Sequence, residues 1–146
     1  MEVRTILYVE DSMLDVELTM EVLKDNNILN PVIVANDGVE ALEYLKCEGK
    51  YTGRAPYNPG MILLDLKMPR MDGLELLAII KKDDRYRKIP VIMLTTSREE
   101  QDLIRGYDLG VNAYVVKPID FEDFVIAVKE IGVFWAIINE LPPKGR

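Results

Sequence analysis

Acidic, hydroxyl and amine side chains follow four separate apolar runs of this sequence. Glu10-Asp11 come directly after ILYV, Asp65 after MILL, Thr95-Thr96 after VIML and Lys117 after AYVV. Carboxylates held close together attract a cation, and Mg²⁺ suits hard oxygen ligands while keeping waters that a phosphate can replace. A carboxylate beside Mg²⁺ can act as a nucleophile and form an aspartyl phosphate. A hydroxyl and an ammonium can stabilise the phosphoryl oxygens, so the groups together predict phosphoryl transfer.

The apolar runs that precede these groups have the composition of buried strands, and segments with helical periodicity separate them. Strands are predicted at Thr5–Val9, Pro31–Ala35, Met61–Leu64, Val91–Leu94 and Ala113–Val116. Helices are predicted at Met13–Asn26, Gly38–Lys46, Leu74–Lys82, Glu99–Leu109 and Phe121 to about Asn139. This alternation predicts an α/β fold with a parallel sheet covered on both faces. Five strands suit a flavodoxin-like, doubly wound sheet of order 2-1-3-4-5, here with an extended C-terminal helix.

In such sheets, ligands bind beyond the carboxyl ends of the strands, so the polar groups should meet in one crevice. Each group also has an ordinary structural explanation. Asp11 or Ser12 could cap the following helix, Thr95 could form a turn, and Lys117 could be a solvated loop charge. These explanations must hold at four strand ends together, which favours a common site. Asp15 lies four residues after Asp11, in the first predicted helix. It is interpreted as a surface charge that faces away from the crevice or sits at its rim.

Composition excludes several other classes of protein. The chain has 146 residues, which predicts one domain over residues 1–139 and a short tail at 140–146. It has no histidine, which excludes His-based metal sites and Ser-His-Asp triads, and its single Cys47 cannot form an internal disulfide. The net charge of −7 argues against nucleic-acid binding. No membrane span or signal peptide is recognisable, so a cytoplasmic protein is expected.

The sequence resembles the receiver domains of two-component response regulators over essentially its whole length. The matching pieces are Glu10-Asp11, DLKMPRMDG at 65–73, Thr95-Thr96 and Lys117-Pro118. The resemblance implies that Asp65 accepts the phosphoryl group, that Thr95 hydrogen-bonds it and that Lys117 pairs with it. It also implies that Asp11 and Asp65 bind Mg²⁺ directly with the backbone carbonyl of Lys67, whereas Glu10 acts through water.

The resemblance carries further expectations about local structure. Receivers usually have a cis peptide bond before the proline that matches Pro118. Thr95 and Tyr114 match the positions that rearrange on activation, at the surface formed by the fourth helix, the fifth strand and the fifth helix. Asp72 is interpreted as a helix N-cap rather than a catalytic acid, and Gly73 as a place where a Cβ would clash.

Several features depart from the commonest receiver pattern. The first acidic pair is Glu-Asp, Thr96 stands where a smaller residue is frequent, and the segment 47–60 is long. The predicted last helix would be about 28 Å long, and its far end carries Phe134, Trp135 and Ile138. An exposed apolar patch of this kind marks a partner or homodimer interface, unless the tail folds back on its own domain. Three features together, the segment 47–60, LTTS at 94–97 and this tail, resemble those of stand-alone receivers that partner bacterial and cyanobacterial phytochrome kinases.

The expected function is therefore that of a single-domain response regulator and not of an enzyme that turns over a separate substrate. A sensor histidine kinase or phosphotransfer protein, with a phytochrome as a candidate, would phosphorylate Asp65 in the presence of Mg²⁺. Only self-phosphorylation from phosphodonors and autodephosphorylation are expected as chemistry. Three alternatives stay open: a phosphatase of the haloacid-dehalogenase type, which would want an acid where Lys67 stands; a flavin-binding module; and an inactive receiver used as a scaffold.

Overall fold

The computed structural model describes residues 5–96, 100, 111 and 113–132, and its strands form one parallel sheet. The strands are β1 (Ile6–Val9), β2 (Val32–Ala35), β3 (Met61–Asp65), β4 (Val91–Thr95) and β5 (Ala113–Val116). Their order across the sheet is β2-β1-β3-β4-β5, and every neighbouring pair is parallel. The predicted flavodoxin-like topology is confirmed.

Helices connect the strands, as the alternating pattern predicts. They are α1 (Met13–Asp25), α2 (Gly38–Lys46), α3 (Gly73–Lys82) and α4 (Phe121–Glu130), and a 3-10 turn follows α2 at Gly49–Tyr51. Here α4 corresponds to the fifth helix of the prediction. The predicted helix at 99–109, apart from Glu100, lies outside the described residues, as do Phe134, Trp135, Ile138 and the tail at 140–146. None of the helices in the described part of the chain has the length and hydrophobicity that crossing a bilayer requires.

The two faces of the sheet are covered by two separate apolar clusters. Alternate residues of β1 point to opposite faces, so Leu7 and Val9 pack with residues of α2 and α3, whereas Ile6 and Tyr8 pack with residues of α1 and α4. The three central strands, β1, β3 and β4, are therefore buried on both sides and lie fixed between helices. This burial holds the carboxyl ends of the strands in place relative to one another.

Short polar side chains define where the helices begin. Ser12, Asp37, Asp72 and Asp120 each accept a hydrogen bond from a backbone N–H in the first turn of the helix that follows. Asp72 forms a capping box with Glu75, which confirms the interpretation of Asp72 as an N-cap.

Gly73 begins α3 directly against the end of β3. Its N–H donates to the carbonyl of Leu66 at 2.8 Å. A Cβ at this position would collide with the carbonyl oxygen of Asp65 and lie 3.0 Å from the Cα of Leu66. The absence of a side chain is therefore what allows α3 to start this close to Asp65, as the sequence predicts.

The prediction of one unbroken helix from Phe121 to about Asn139 is wrong. The helix ends at Glu130, Ile131 is its C-cap, and Gly132 has a φ of +78°, in the left-handed region. Glycine reaches this region at little cost and commonly ends helices in this way. The helical pattern of the sequence continues past Gly132, whereas α4 already ends at Glu130.

Candidate functional site

The polar residues that follow the strands meet in a cavity of about 210 Å³ at the carboxyl edge of the sheet. The cavity is lined by Glu10, Asp11, Ser12, Asp15, Asp65, Leu66, Lys67, Thr96, Glu100 and Lys117. Apart from Glu100, these residues come from the ends of β1, β3, β4 and β5 and from the first turn of α1. The sheet thus brings together the groups that the sequence predicts at one edge.

Three clustered acids line this cavity. Val9 of β1 pairs with Leu64 of β3, so the acids that follow these strands lie side by side. Glu10, Asp11 and Asp65 each have a carboxylate oxygen within 4.8 Å of the others. Glu10 and Asp65 are buried, whereas Asp11 is exposed to solvent. The cluster therefore combines two carboxylates with little water around them and one at the opening.

The Lys117 ammonium lies among the acids. Its Nζ is 2.7 Å from Glu10 Oε1, 2.8 Å from Asp65 Oδ1 and 2.9 Å from Asp15 Oδ2. The Lys117 backbone N–H donates to the Thr95 carbonyl at 2.8 Å, which fixes the start of the loop after β5. The peptide bond from Lys117 to Pro118 is cis, as the resemblance implies.

Asp15 corrects one interpretation made from the sequence. Of the two positions predicted for it, the one facing away from the crevice is wrong, because Asp15 lines the cavity and its carboxylate, 35% exposed, pairs with Lys117. Asp15 lies three residues after the Ser12 cap, and its N–H donates to Ser12 Oγ at 3.2 Å. A side chain in a helix projects back toward the N-terminal turn. That direction is the signal that considering only the strand ends overlooked.

Tyr8 is a second residue that the sequence pattern did not assign to the site. Its side chain is fully buried beneath α1, and its hydroxyl oxygen is 3.1 Å from Thr19 Oγ1. The same oxygen is 3.4 Å from Glu10 Oε1 and 3.4 Å from the Asp15 carbonyl oxygen. Burial raises the pKa of Tyr8 above its usual value, so the hydroxyl stays protonated. Tyr8 thereby connects β1, the acid cluster and the first turns of α1.

The protonation of the cluster follows from burial and crowding. Burial raises the pKa of Glu10 to about 7, because the lowering effect of its Lys117 contact is outweighed and the Asp65 charge adds to the increase. Burial also raises the pKa of Asp65, against the opposing effect of Lys117. Burial by itself would lower the pKa of Lys117, but its hydrogen bonds with Asp65, Glu10 and Asp15 raise it. One ammonium is thus insufficient to neutralise the carboxylates around it.

This donor set fits a hard divalent cation. The clustered ligand atoms of Glu10, Asp11 and Asp65 are all carboxylate oxygens, and Asp11 keeps one side of the cluster open to water. Mg²⁺ is typically held by a small number of carboxylates together with retained waters. The charge imbalance around Lys117 favours the binding of additional positive charge at the same place.

The remaining predicted site residues lie around the opening or behind it. Thr95 is the last residue of β4 and is fully buried, whereas Thr96 lines the cavity and donates its backbone N–H to Glu100 Oε1 at 2.7 Å. Lys67 lines the cavity too, and its Nζ is 3.3 Å from Glu100 Oε2. Tyr114 is half-buried on β5 against the core.

A bidentate ion pair anchors the loop that leaves Asp65. Arg70 adopts a left-handed backbone with φ of +61°. Its Nε and Nη2 donate to Asp37 Oδ2 at 2.7 Å and to Oδ1 at 3.1 Å. Because Asp37 also caps α2, the pair ties this loop to the start of α2. No local sequence pattern links these two positions, which lie 33 residues apart along the chain.

Comparison with known proteins agrees with this geometry. The family described as "Response regulator receiver domain" matches residues 6–129. The chain belongs to this family. The matched range contains the acid cluster, the Thr95-Thr96 pair and Lys117. The cavity therefore lies within the part of the chain that matches the receiver domain.

The receiver is similar over nearly its whole length to several response regulators. Response regulator Rcp1 of Synechocystis is 41% identical over 139 residues, which cover 95% of this chain and 93% of Rcp1. The Mn²⁺-bound crystal structure of Rcp1 has a TM-score of 0.70 to this receiver, covering 94% of it and 98% of Rcp1. The bacteriophytochrome response regulator AtBRR is 54% identical, with a TM-score of 0.88 and coverages of 94% and 98%. The phosphorylated cyanobacterial phytochrome response regulator RcpA is 41% identical, with a TM-score of 0.72 and coverages of 94% and 97%.

Proposed function

We propose that this receiver accepts a phosphoryl group on Asp65 from a sensor histidine kinase or a phosphotransfer protein. The observation that carries the proposal is the convergence of Asp65, two further acids and Lys117 at the carboxyl edge of the sheet, with Lys117 Nζ 2.8 Å from Asp65 Oδ1. Phosphoryl transfer depends mainly on positioning and on stabilising the equatorial oxygens, and this arrangement suits both needs.

Among the acids, Asp65 is the best placed nucleophile. Glu10 is fully buried and its oxygens already accept from Lys117, Tyr8 and the Ser12 N–H. Asp11 is exposed and forms no ion pair within 4.0 Å among the described residues. Asp65 lines the cavity, and its Oδ1 contacts Lys117, so its other oxygen can attack. An O–P bond forms at Asp65 as the donor's N–P bond breaks, and the imidazole of the donor histidine leaves.

The neighbouring groups have separate proposed roles. Glu10, Asp11, Asp65 and the Lys67 carbonyl are proposed to hold Mg²⁺, which when bound supplies positive charge beside the transferring phosphoryl oxygens. Lys117 would donate to one of these oxygens. Thr95 is proposed to bind another after the end of β4 adjusts, because its side chain is buried in this structure.

The output would leave through the side of the sheet that carries β5. Thr95 and Tyr114 are proposed as the residues that transmit phosphorylation to the surface of 99–109, β5 and α4. Val116 on β5 and Ile126 on α4 support this surface, because their apolar side chains are 41% and 56% exposed. Exposed apolar residues on neighbouring elements are typical of a surface that binds a partner.

The partner proposal follows from the relatives. AtBRR and RcpA are described as response regulators of bacteriophytochrome and of cyanobacterial phytochrome. We therefore propose a phytochrome histidine kinase as the donor, acting in the cytoplasm and without nucleic acid or membrane as partners. The receiver would span residues 1–139, with a homodimer or partner interface at Phe134, Trp135 and Ile138. It would carry out only self-phosphorylation and autodephosphorylation.

Phosphorylation from a small donor tests the assignment of Asp65. Incubation with acetyl phosphate and Mg²⁺ should add the mass of one phosphoryl group to the wild type and none to Asp65→Asn. Chelation of the metal should suppress labelling of the wild type, and Glu17→Gln, on the exposed face of α1, should label normally. Equal labelling of the wild type and Asp65→Asn would refute the site. Sustained hydrolysis of small phosphate esters would instead favour a phosphatase.

A further inference from the structure

The hydrogen-bonding capacity of Lys117 is already full. An ammonium has three N–H donors, and Lys117 Nζ meets three carboxylate oxygens at 2.7, 2.8 and 2.9 Å. Lys117 can therefore donate to a phosphoryl oxygen only after one of these acceptors gives up its bond. The choice of acceptor decides how the site changes between its resting and phosphorylated states.

The burial of the acceptors identifies the one that leaves. The side chains of Glu10 and Asp65 are 0% and 9% exposed, whereas that of Asp15 is 35% exposed. A buried carboxylate that loses its cation pays a large desolvation penalty, but a partly exposed one can be solvated by water instead. Asp65 also has to stay beside the phosphoryl group that it carries. Asp15 is thus the acceptor whose release costs least.

The backbone of Asp15 is held while its side chain is free to turn outward. The Asp15 N–H donates to Ser12 Oγ at 3.2 Å, and its carbonyl oxygen is 3.4 Å from the Tyr8 hydroxyl. On the Asp15 side, these contacts involve only main-chain atoms. Rotation of the Asp15 side chain therefore leaves α1 in place. The carboxylate can move between Lys117 and solvent without a change in the fold.

We propose that Asp15 is the exchange partner of Lys117, an inference that rests on the proposed function. In the resting state, Asp15 holds the third N–H of Lys117. After phosphorylation of Asp65, that N–H passes to a phosphoryl oxygen, and the Asp15 carboxylate turns to water, away from the like charge. Asp15 is a positioning residue: it stabilises the resting state and so weakens the binding of a phosphoryl group or its mimic.

Beryllofluoride, a stable mimic of the phosphoryl group, tests the exchange. Its apparent Kd would be measured by titration calorimetry at saturating Mg²⁺ for the wild type, Asp15→Asn and Asp15→Ala. Both variants should bind beryllofluoride about fivefold more tightly, the change that loss of a partly exposed ion pair with Lys117 gives. Glu17→Gln, which removes an exposed acid from the same helix, is the matched control and should change the Kd by less than about twofold.

The affinity for Mg²⁺ separates this role from a general structural effect. Without beryllofluoride, Asp15→Asn should bind Mg²⁺ about twofold more weakly, because one negative charge near the acids is lost. General damage to the site would weaken the binding of both Mg²⁺ and beryllofluoride. The exchange instead predicts weaker binding of Mg²⁺ and tighter binding of beryllofluoride. Asp15→Glu, which keeps the charge, should return both affinities toward those of the wild type.

Two results would overturn the exchange. One is a beryllofluoride affinity for Asp15→Asn and Asp15→Ala equal to that of Glu17→Gln, and the other is weaker binding of both ligands. A wild type that binds no beryllofluoride and takes no label from acetyl phosphate would contradict the proposed function itself, and this inference with it. The wild type therefore tests the function, and the Asp15 variants test the exchange.

Discussion

Lys117 and Arg54 each meet three acceptors at opposite edges of the same sheet, but the acceptors differ in charge. Lys117 contacts the carboxylates of Glu10, Asp15 and Asp65. Arg54 donates to the backbone carbonyls of Tyr44 at 2.7 and 3.0 Å, of Ala55 at 2.9 Å and of Tyr57 at 2.9 Å, and its guanidinium lies 3.9 Å from the centre of the Tyr44 ring.

The difference in acceptors separates a permanent contact from an exchangeable one. Backbone carbonyls are neutral, do not titrate and are held by the chain, so the planar fork of Arg54 fixes the segment 47–60 at the amino edge of the sheet. Carboxylates repel one another, bind protons and bind cations. At the carboxyl edge, the same number of acceptors therefore yields an arrangement that protons and cations can change.

Replacing each cation by methionine gives the largest expected contrast. Lys117→Met should lower the free energy of unfolding by about 3 kcal/mol at pH 8 without metal, because Glu10 and Asp65 then lie buried without a cation. The loss should shrink at pH 5.5, where these carboxyls take up protons, and with Mg²⁺. Urea unfolding of the wild type and of Lys117→Met at the two pH values, with and without Mg²⁺, measures these differences in the free energy of unfolding.

Arg54→Met is the matched control for that experiment. It should cost about 2 kcal/mol through the lost hydrogen bonds and ring contact, with the same value at both pH values and with Mg²⁺. If the loss of stability in Lys117→Met were equally insensitive to pH and Mg²⁺, the contacts of Lys117 would be as permanent as those of Arg54.

The wild type should show a pH dependence that comes from Glu10. Its pKa is about 7 in the folded protein and 4.5 in its ordinary state, so the native state holds more protons between these values. The free energy of unfolding without metal should therefore fall as pH rises from 5 to 7.5, by on the order of 2 kcal/mol.

Mg²⁺ should oppose this trend, because deprotonated carboxylates bind it better and its stabilising effect grows with pH. The comparison requires unfolding curves at several pH values for the wild type and for Glu10→Gln, which should lack most of the decrease. A stability that rises with pH in the metal-free wild type would contradict the protonation described for the cluster.

The smallest expected effect concerns the geometry of Arg54. Arg54→Lys keeps the charge but loses the planar fork, so it should destabilise the protein by about 1 kcal/mol. Its affinity for Mg²⁺ and its labelling by acetyl phosphate should equal those of the wild type. A measurable change in the Mg²⁺ affinity or in the labelling would mean that the contacts of Arg54 influence the acid cluster at the opposite edge of the sheet.

The sequence predicts well which side chains meet at the carboxyl ends of the strands. Apolar runs such as MILL have few ways to be buried, and a parallel sheet places whatever follows them at one edge. Glu10, Asp11, Asp65 and Lys117 were predicted together for this reason. Local rules were equally informative for Asp72 and Gly73, because capping and steric exclusion act within a few residues.

Contacts that depend on the packing of whole elements were not predictable in the same way. Helix geometry turns the Asp15 side chain toward the N-terminal turn of α1, but its contact with Lys117 also requires the end of β5 to pack beside that turn. The pairing of Arg70 with Asp37 depends on how two loops approach each other. The helix was predicted beyond Gly132 because the apolar periodicity continues there, although a single backbone angle at that glycine ends it.

The three contacts of Lys117 also have a consequence for the order in which this protein becomes competent. Lys117 lies 102 residues from Asp15 along the chain and follows β5, which is an edge strand of the sheet. During synthesis, the acids of β1 and β3 are present long before the lysine that neutralises them. Docking of β5 therefore brings the ammonium to the acids, so a chain that has not finished folding carries an acid cluster without this counter-charge.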